Sequence, residues 1–446
     1  MKFLSSIRSR CGDFWWYAAL IFIASRFGDF INLYIGLWLV PRFVPDEDLG
    51  AVVPLSAFAT TLALPVSIFG FVFMKQVNVL TAENRRGQLK TLLRSVFVVT
   101  AVLLIVMVVV ARFSMPHVFE RIRIAKGSLG ILVVVTGFLG TVSPVYTNAL
   151  QAMKRFKSLS LMHVFGAPIR LVVMLVAMPF RAIAGYFTAQ ASVSLWQVLL
   201  SVFSLKRELG NDVPAEPYWT SGNVRAMLRY AVFVTLYHSC SCSSFVEALV
   251  IRQRLPSVDS AAYYMISRFG EVGLYAGAAL LTVLFPYVSE AAATGDRKAD
   301  RIIYRSTLAS VAFGLVCAVC YYLCGGWMLS VFSDGDAYAG YAPHMALLTL
   351  SLTLGAAVNC AAVGYLAAER FRFLWWWVPL HAVYGGLILC VTGYGYFEAV
   401  LPEGVLMALK TINGHGLNFI LIAMLSIQVL KLAFVLLPFN RKAPVA

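Results

Sequence analysis

The first long apolar run of the chain, Phe14–Val40, carries polar side chains in its middle. As a helix it is long enough to cross the roughly 30 Å hydrocarbon core of a bilayer. Arg26, Asp29 and Asn32 fall on one face of that helix. A charge at the bilayer centre costs roughly 2.5–3.5 kcal/mol, so this face must be turned away from lipid. We interpret it as the wall of a cavity; alternatively, Arg26 and Asp29 form a local ion pair that joins two helices.

The composition extends this conclusion to the whole chain. Of 446 residues, 60% are hydrophobic and only 13% are charged, a balance that excludes an ordinary soluble domain. The net charge of +15 would suit a nucleic-acid partner, but the basic residues lie in short loops between apolar spans. That placement is typical of membrane proteins, so we expect no nucleic-acid partner.

Hydropathy predicts an all-α membrane protein of about twelve transmembrane helices. The predicted spans are 14–40, 50–74, 92–111, 129–151, 158–179, 182–205, 230–251, 261–288, 306–332, 341–367, 373–396 and 417–437. The most polar stretch, 206–229, separates spans six and seven. We therefore predict an N-terminal six-helix half at 1–205 (the N-half), a cytoplasmic linker at 206–229 and a C-terminal six-helix half at 230–446 (the C-half).

Loop charge predicts the orientation. Lys and Arg are more than twice as common in the N-terminus, the even-numbered loops and the C-terminus as in the odd-numbered loops. Under the positive-inside rule, both termini are cytoplasmic in a multi-pass protein of the cytoplasmic (inner) membrane.

Matched loop motifs indicate that the two halves are duplicates. The segments 43–51 and 254–262 are alike, as are 86–90 and 294–298, and 155–157 and 370–372. The last pair reads Arg-Phe-Lys and Arg-Phe-Arg and is offset by 215 positions. Because six spans per half is an even number, the halves would be parallel repeats, related by an axis along the membrane normal.

Three stretches resemble the MOP superfamily, which holds the multidrug (MATE) exporters and the lipid-linked oligosaccharide flippases. They are Leu39–Gly50, with its acidic-Leu-Gly after a proline, the glycine-centred 69–71 and Ala149–Phe156. They are most similar to the polysaccharide-export (Wzx-like) branch. The resemblance implies two bundles in a V around a central cavity, and alternating access. It also implies a cargo such as a polyprenyl-pyrophosphate-linked sugar.

Basic side chains inside spans are the candidates for holding such a cargo. Arg26 lies in span one, Arg170 in span five and Arg268 in span eight, with Glu271 one turn after Arg268. A guanidinium group matches phosphate oxygens bidentately and stays charged. We therefore predict that these residues, with Asp29 and Asn32, line the cavity. Local ion pairs such as Arg268–Glu271 are the alternative.

Span seven contributes the most polar mid-span segment, 238–244. We assign His238, Ser239 and Ser243 to the cavity wall, with proton coupling as a further role for His238. Alternatively, the small residues allow close helix packing, and some hydroxyls bond to carbonyls one turn back and bend the helix. Glu247 either carries a coupling ion or pairs with Arg252.

These features predict a flippase for polyprenyl-pyrophosphate-linked oligosaccharide. A MATE-type cation or drug antiporter is the first alternative and a membrane polysaccharide polymerase the second. Intramembrane basic residues outnumber acidic ones, which favours an anionic cargo. No phosphate-binding glycine loop or catalytic metal spacing occurs, so we expect neither an enzyme nor a metal or cofactor, with H⁺ or Na⁺ gradients as candidate driving forces. The expected partners are the lipid-linked oligosaccharide, membrane lipids and other polysaccharide-assembly membrane proteins, and the expected state is a monomer.

Overall fold

A computed structural model describes residues 13–122, 129–209, 214–240, 242–293, 298–332, 338–392, 403–404, 407 and 416–437. Within these ranges the regular structure is helical throughout. The predicted all-α class is therefore confirmed.

The N-half begins with α1 (Asp13–Tyr34), which continues through a π-helical turn (Ile35–Leu39) into α2 (Val40–Phe43). The helices that follow are α3 (Asp46–Leu49), α4 (Val52–Leu62), α5 (Leu64–Ala82), α6 (Arg86–Ile122), α7 (Leu129–Ala152), α8 (Phe156–Ala177) and α9 (Ala182–Leu209).

The C-half is built in the same way. Its helices are α10 (Ser221–Ser239), α11 (Cys242–Arg254), α12 (Ser257–Ala293), α13 (Lys298–Phe332), α14 (Ala342–Ala367), α15 (Leu374–Thr392) and α16 (Gly416–Val435), with 3₁₀ turns at Ala339–Tyr341 and Phe371–Phe373. The linker between the halves is shorter than the predicted 206–229, because α9 extends to Leu209 and α10 begins at Ser221.

Two predicted spans are each divided into two helices. Span two breaks at Ala63, between α4 and α5, because Pro65 follows in the first turn of α5 and lacks the N–H that a continuous helix needs. Span seven breaks between α10 and α11. There the hydroxyl of Ser239 and the thiol of Cys240 both donate to the carbonyl of Leu236, as predicted for this polar segment.

Eight of the described helices, α5 to α9, α13, α14 and α16, are long and apolar enough to cross a membrane. Large apolar side chains such as Phe97, Phe113 and Leu323 cover their outer faces, as expected for lipid contact. Helix α14 is instead largely buried, because α12, α13 and α16 surround it. The chain is thus a multi-pass membrane protein, and the count of twelve spans stays a prediction.

Helix packing follows the same pattern in both halves. In the N-half, α1 packs on α8, α5 on α7, and α7 on α9. The C-half repeats these pairs as α11 on α15, α12 on α14, and α14 on α16. Between the halves, α1 contacts α12, and α5 contacts α10. This recurrence is what a duplication predicts, and the axis along the membrane normal stays a prediction.

Candidate functional site

A polar cavity of about 200 Å³ lies between α1, α8 and α9. Most of its polar lining comes from the residues Ser25, Asp29, Asn32, His163, Arg170, Gln190 and Gln197. Three of these, Asp29, Asn32 and Arg170, are residues that the sequence assigned to the site. The structure therefore brings together predicted residues from spans one and five.

A close approach of α1 to α8 creates this cavity wall. A Cβ atom added at Gly28 would lie 3.0 Å from the carbonyl oxygen of His163, tighter than ordinary van der Waals contact. Glycine is therefore needed here for the two backbones to approach. The polar residues that follow Gly28 on α1 are thereby placed opposite α8.

The charge of Arg26 is compensated within its own helix. Its Nη2 atom lies 2.6 Å from Asp29 Oδ2, its Nε donates to the carbonyl of Phe22 at 3.1 Å, and the guanidinium stands over the Phe22 ring. The alternative of a local ion pair therefore describes Arg26 well. Asp29 lines the cavity with its charge already paired.

The charge of Arg170 is held differently. Its Nη1 donates to Asn32 Oδ1 at 3.1 Å, and the guanidinium carbon stands 5.3 Å from the centre of the Tyr186 ring. Within the described part of the chain no carboxylate forms an ion pair with it, and its buried Nε has no hydrogen-bond partner. Of the three predicted arginines, only Arg170 both lines the cavity and forms no ion pair within the described ranges.

The remaining polar lining consists of side chains that form hydrogen bonds without a fixed charge. Gln197 accepts a hydrogen bond of 2.7 Å from Ser143, which orients its amide. His163 and Gln190 complete this wall. Sequence reasoning missed these three residues, because one polar residue in a long apolar helix gives no indication of which helix it faces.

Arg268 and Glu271 lie outside this cavity. They form an ion pair of 2.8 Å on α12, and Arg268 packs so tightly against Gly36 that a Cβ there would lie 2.9 Å from its Cδ. Tyr264 donates a 3.0 Å hydrogen bond to the Gly36 carbonyl in the π-helical turn. These residues thus join the C-half to α1 at a local irregularity, a type of feature that is frequent at functional sites.

Two of the residues predicted from span seven, His238 and Ser239, do not line the cavity either. His238 packs edge-on against Phe71, with ring centres 4.7 Å apart, and Ser239 is exposed with its hydroxyl bonded to the carbonyl of Leu236. Ser243 belongs to α11, but its side chain lies outside the described residues. The proton-coupling role of His238 stays a prediction.

A second polar cluster lies in the C-half core. The buried carboxylate of Glu247 accepts hydrogen bonds from Tyr263 at 2.9 Å and Tyr384 at 2.8 Å. Nearby, the buried amine of Lys431 lies 2.8 Å from His381 Nε2. Tyr263 and Tyr384 lie on other helices, and hydropathy does not show which helices are adjacent, so the sequence did not reveal that Glu247 has two phenol partners.

No protein-family model matches the sequence, and no curated protein matches it. Solved structures do match along nearly the whole chain. An outward-facing multidrug-resistance MATE transporter of the MOP superfamily is 14% identical, with a TM-score of 0.65 and 96% of each chain covered. The chain has the fold of the MATE transporters. The expected MATE-like fold is therefore confirmed.

Two further structures are similar to the same extent. The Vibrio cholerae MATE transporter VcmN in its bent form is 12% identical, covers 98% of each chain and has a TM-score of 0.61. A MOP superfamily transporter from Pyrococcus furiosus is 14% identical, covers 95% of each chain and has a TM-score of 0.62. In that transporter, the reverse polarity of the binding pocket suggests a different function.

Proposed function

We propose that the chain is an alternating-access transporter that moves a polyprenyl-pyrophosphate-linked oligosaccharide across the cytoplasmic membrane. The observation that carries the proposal is Arg170, a cavity-lining guanidinium without a carboxylate partner in the described chain. The MATE-like fold supports transport between two sides of a membrane. The charge of the cavity supports an anionic cargo.

The charge balance of the cavity favours an anion. The Arg26–Asp29 pair is internally neutral, so Arg170 leaves the wall with a net positive charge. A cation that is partly buried within the membrane is stabilised most by a partner of opposite charge. A pyrophosphate group that approaches from the cavity would supply it.

The geometry of Arg170 suits a phosphate. Nη1 already donates a hydrogen bond to Asn32, whereas the buried Nε remains available to donate another. The Nε–Nη2 edge of a guanidinium presents two parallel donors, which match two phosphate oxygens. The amide N–H groups of Gln190 and Gln197 and a ring N–H of His163 would then donate to the remaining oxygens of the headgroup.

The size of the cavity limits what it holds in this conformation. At about 200 Å³ it is smaller than a typical site for a drug-sized ligand. We propose that it takes the pyrophosphate headgroup, and that the oligosaccharide occupies space that appears when the halves separate. Solved structures of this fold in an inward-facing and an outward-facing conformation support such a separation of the halves.

A MATE-type cation or drug antiporter is the second candidate. The observation in its favour is the acidic side chains, Asp29 in the N-half cavity and Glu247 in the C-half cluster. In either case an H⁺ or Na⁺ gradient is the proposed driving force. A polymerase or other enzymatic role has no supporting observation.

Transport in proteoliposomes separates the two candidates. The cargo would be a fluorescent short-chain polyprenyl-pyrophosphate sugar, and flipping would be measured as the fraction quenched by membrane-impermeant dithionite. We expect Arg170→Ala to lower the initial rate at least about tenfold, because a charge-assisted hydrogen bond contributes about 1.5–3 kcal/mol. Arg170→Lys should also be slow, because an ammonium cannot form the two parallel bonds.

The matched control is Arg94→Ala. Arg94 is also an intramembrane arginine by sequence, but it is exposed on α6 and away from the cavity. The Arg94→Ala variant should keep the wild-type flipping rate. A wild-type protein that leaves the labelled lipid in place but exchanges a lipophilic cation for protons or Na⁺ would establish the antiporter instead.

A further inference from the structure

Three residues other than glycine adopt the left-handed backbone conformation in the described chain. They are Asn84 (φ 55°), Lys154 (φ 56°) and Glu369 (φ 57°). Asparagine is common in this conformation, whereas a long charged side chain is strained there by roughly 1–2 kcal/mol. Lys154 and Glu369 therefore need a reason to occupy positions that suit glycine.

Both residues follow the last turn of a helix in the same motif. At the end of α7, the N–H of Arg155 bonds to the carbonyl of Leu150, and the N–H of Lys154 bonds to that of Gln151. The residues around Glu369 close the end of α14 with the same two bonds. This is the Schellman motif, whose left-handed position is usually glycine.

Each of these two strained residues forms an ion pair with the opposite half. Glu369 in the C-half lies 3.2 Å from the amine of Lys75 on α5. Lys75 is buried and also donates to the carbonyl of Ala367 at 3.0 Å and to the hydroxyl of Ser289 at 3.4 Å. All three acceptors of this buried N-half lysine thus belong to the C-half.

The second pair has the same form. Lys154 in the N-half forms an ion pair with Glu290 on α12 and stands 4.5 Å from the centre of the Tyr287 ring. This pair is more exposed than the first, with 36% of the Lys154 side chain and 55% of the Glu290 side chain accessible. It should therefore be the more salt-sensitive of the two.

The two pairs are related by the internal duplication. Lys75 and Glu290 are 215 positions apart, and so are Lys154 and Glu369. This is the offset of the Arg-Phe motifs at 155 and 370 that revealed the repeat. The N-half supplies both lysines and the C-half supplies both carboxylates.

We propose that these two ion pairs form a latch that holds the halves together at one end of the molecule, and that both must break for the central cavity to open there. The latch comprises Lys75–Glu369 and Lys154–Glu290. The proposal rests on the alternating-access part of the proposed function and is independent of the cargo. It explains why two charged residues occupy glycine-type positions, since the left-handed turn aims each side chain at the opposite half.

The test measures the separation of the halves directly. An unnatural amino acid with a ketone side chain would be placed at positions 157 and 372, which are both exposed and close to the latch. Nitroxide labels would be attached to the two ketones, and pulsed electron–electron double resonance would give the distribution of distances between the labels. In the wild type we expect a dominant short distance. Lys154→Glu should raise the ratio of long to short distances about tenfold, because attraction becomes repulsion. The swap Lys154→Glu with Glu290→Lys should restore the short distance.

The pair Lys75–Glu369, in which only the lysine is buried, is tested by a milder change. Glu369→Gln keeps the shape but removes the charge, and it should shift the distribution in the same direction as Lys154→Glu. Raising salt from about 0.1 M to about 1 M should shift the wild type as well. The control Arg85→Glu disrupts an ion pair with Glu83 inside the N-half and should leave the distribution unchanged.

The latch is overturned if the folded Lys154→Glu and Glu369→Gln variants keep the wild-type distances, or if the charge swap fails to restore them. Because no cargo is present, these results are independent of whether the protein moves the labelled lipid. A protein that opens normally but does not flip that lipid would refute the proposed cargo and leave the latch intact.

Discussion

The pairing of Arg26 with Asp29 can be tested by a double-mutant cycle. The guanidinium and carboxylate are 2.6 Å apart on one face of α1, with 30% and 20% of their side chains accessible. Arg26→Ala would leave Asp29 charged in the cavity wall, and Asp29→Ala would leave Arg26 charged without the Asp29 carboxylate. The double change removes both charges together.

The expected cost follows from this partial burial. Removing one partner of a fully buried ion pair costs about 3–5 kcal/mol, and an exposed pair contributes about 0–1 kcal/mol. Since Arg26 and Asp29 lie between these limits, we expect each single change to lower the free energy of unfolding by about 2 kcal/mol. The double variant should lose only about 1 kcal/mol, so the coupling energy should be about 3 kcal/mol.

The free energies would be measured by equilibrium unfolding in mixed micelles with increasing dodecyl sulfate, alongside the lipid-flipping rate. The matched control is the cycle for Arg85 and Glu83, a pair with about half of each side chain exposed, whose coupling should stay within about 0.5 kcal/mol. If the Arg26→Ala, Asp29→Ala variant is stable but inactive, Arg26 or Asp29 contacts the cargo and the structural assignment of the pair is wrong. Full activity in it leaves Arg170 as the arginine that binds the anion.

Two further changes test packing and topology. Gly314→Ala should lower the melting temperature in detergent, because its methyl group would collide with the Cβ and Oγ1 of Thr353 on α14; Gly326→Ala on the same helix, whose nearest neighbour is 3.8 Å away, should not, and equal melting temperatures would contradict the packing. Asp336→Cys, in a segment outside the described residues, should react with an impermeant maleimide in intact cells; labelling only after permeabilisation would reverse the predicted orientation.

Sequence alone predicted the depth of side chains in the membrane better than their direction. Apolar runs locate the helices, and the middle of a run locates residues such as Asn32 and Arg170 at a similar depth. Because α1 and α8 are neighbours, these two residues meet. Arg268 lies on a helix that contacts α1 at a different place, the π-helical turn. Hydropathy contains no information about which helices are adjacent, so the predicted single site divides into separate clusters.

The internal duplication, in contrast, is visible in the sequence and relates the positions that form contacts between the halves. In an exact repeat, positions 75 and 290 would carry the same residue, and so would positions 154 and 369. Two copies of the N-half sequence would place lysines at all four positions, and two copies of the C-half sequence would place glutamates there, so both contacts would be repulsive in either case. The chain instead has lysines at both N-half positions and glutamates at both C-half positions, which makes both contacts attractive. A latch of this kind is reversible, because the carboxylate of each pair is about half exposed and regains water when the pair breaks, so that the net free energy of the pair is small. A hydrophobic seam in the same place would lack this reversibility.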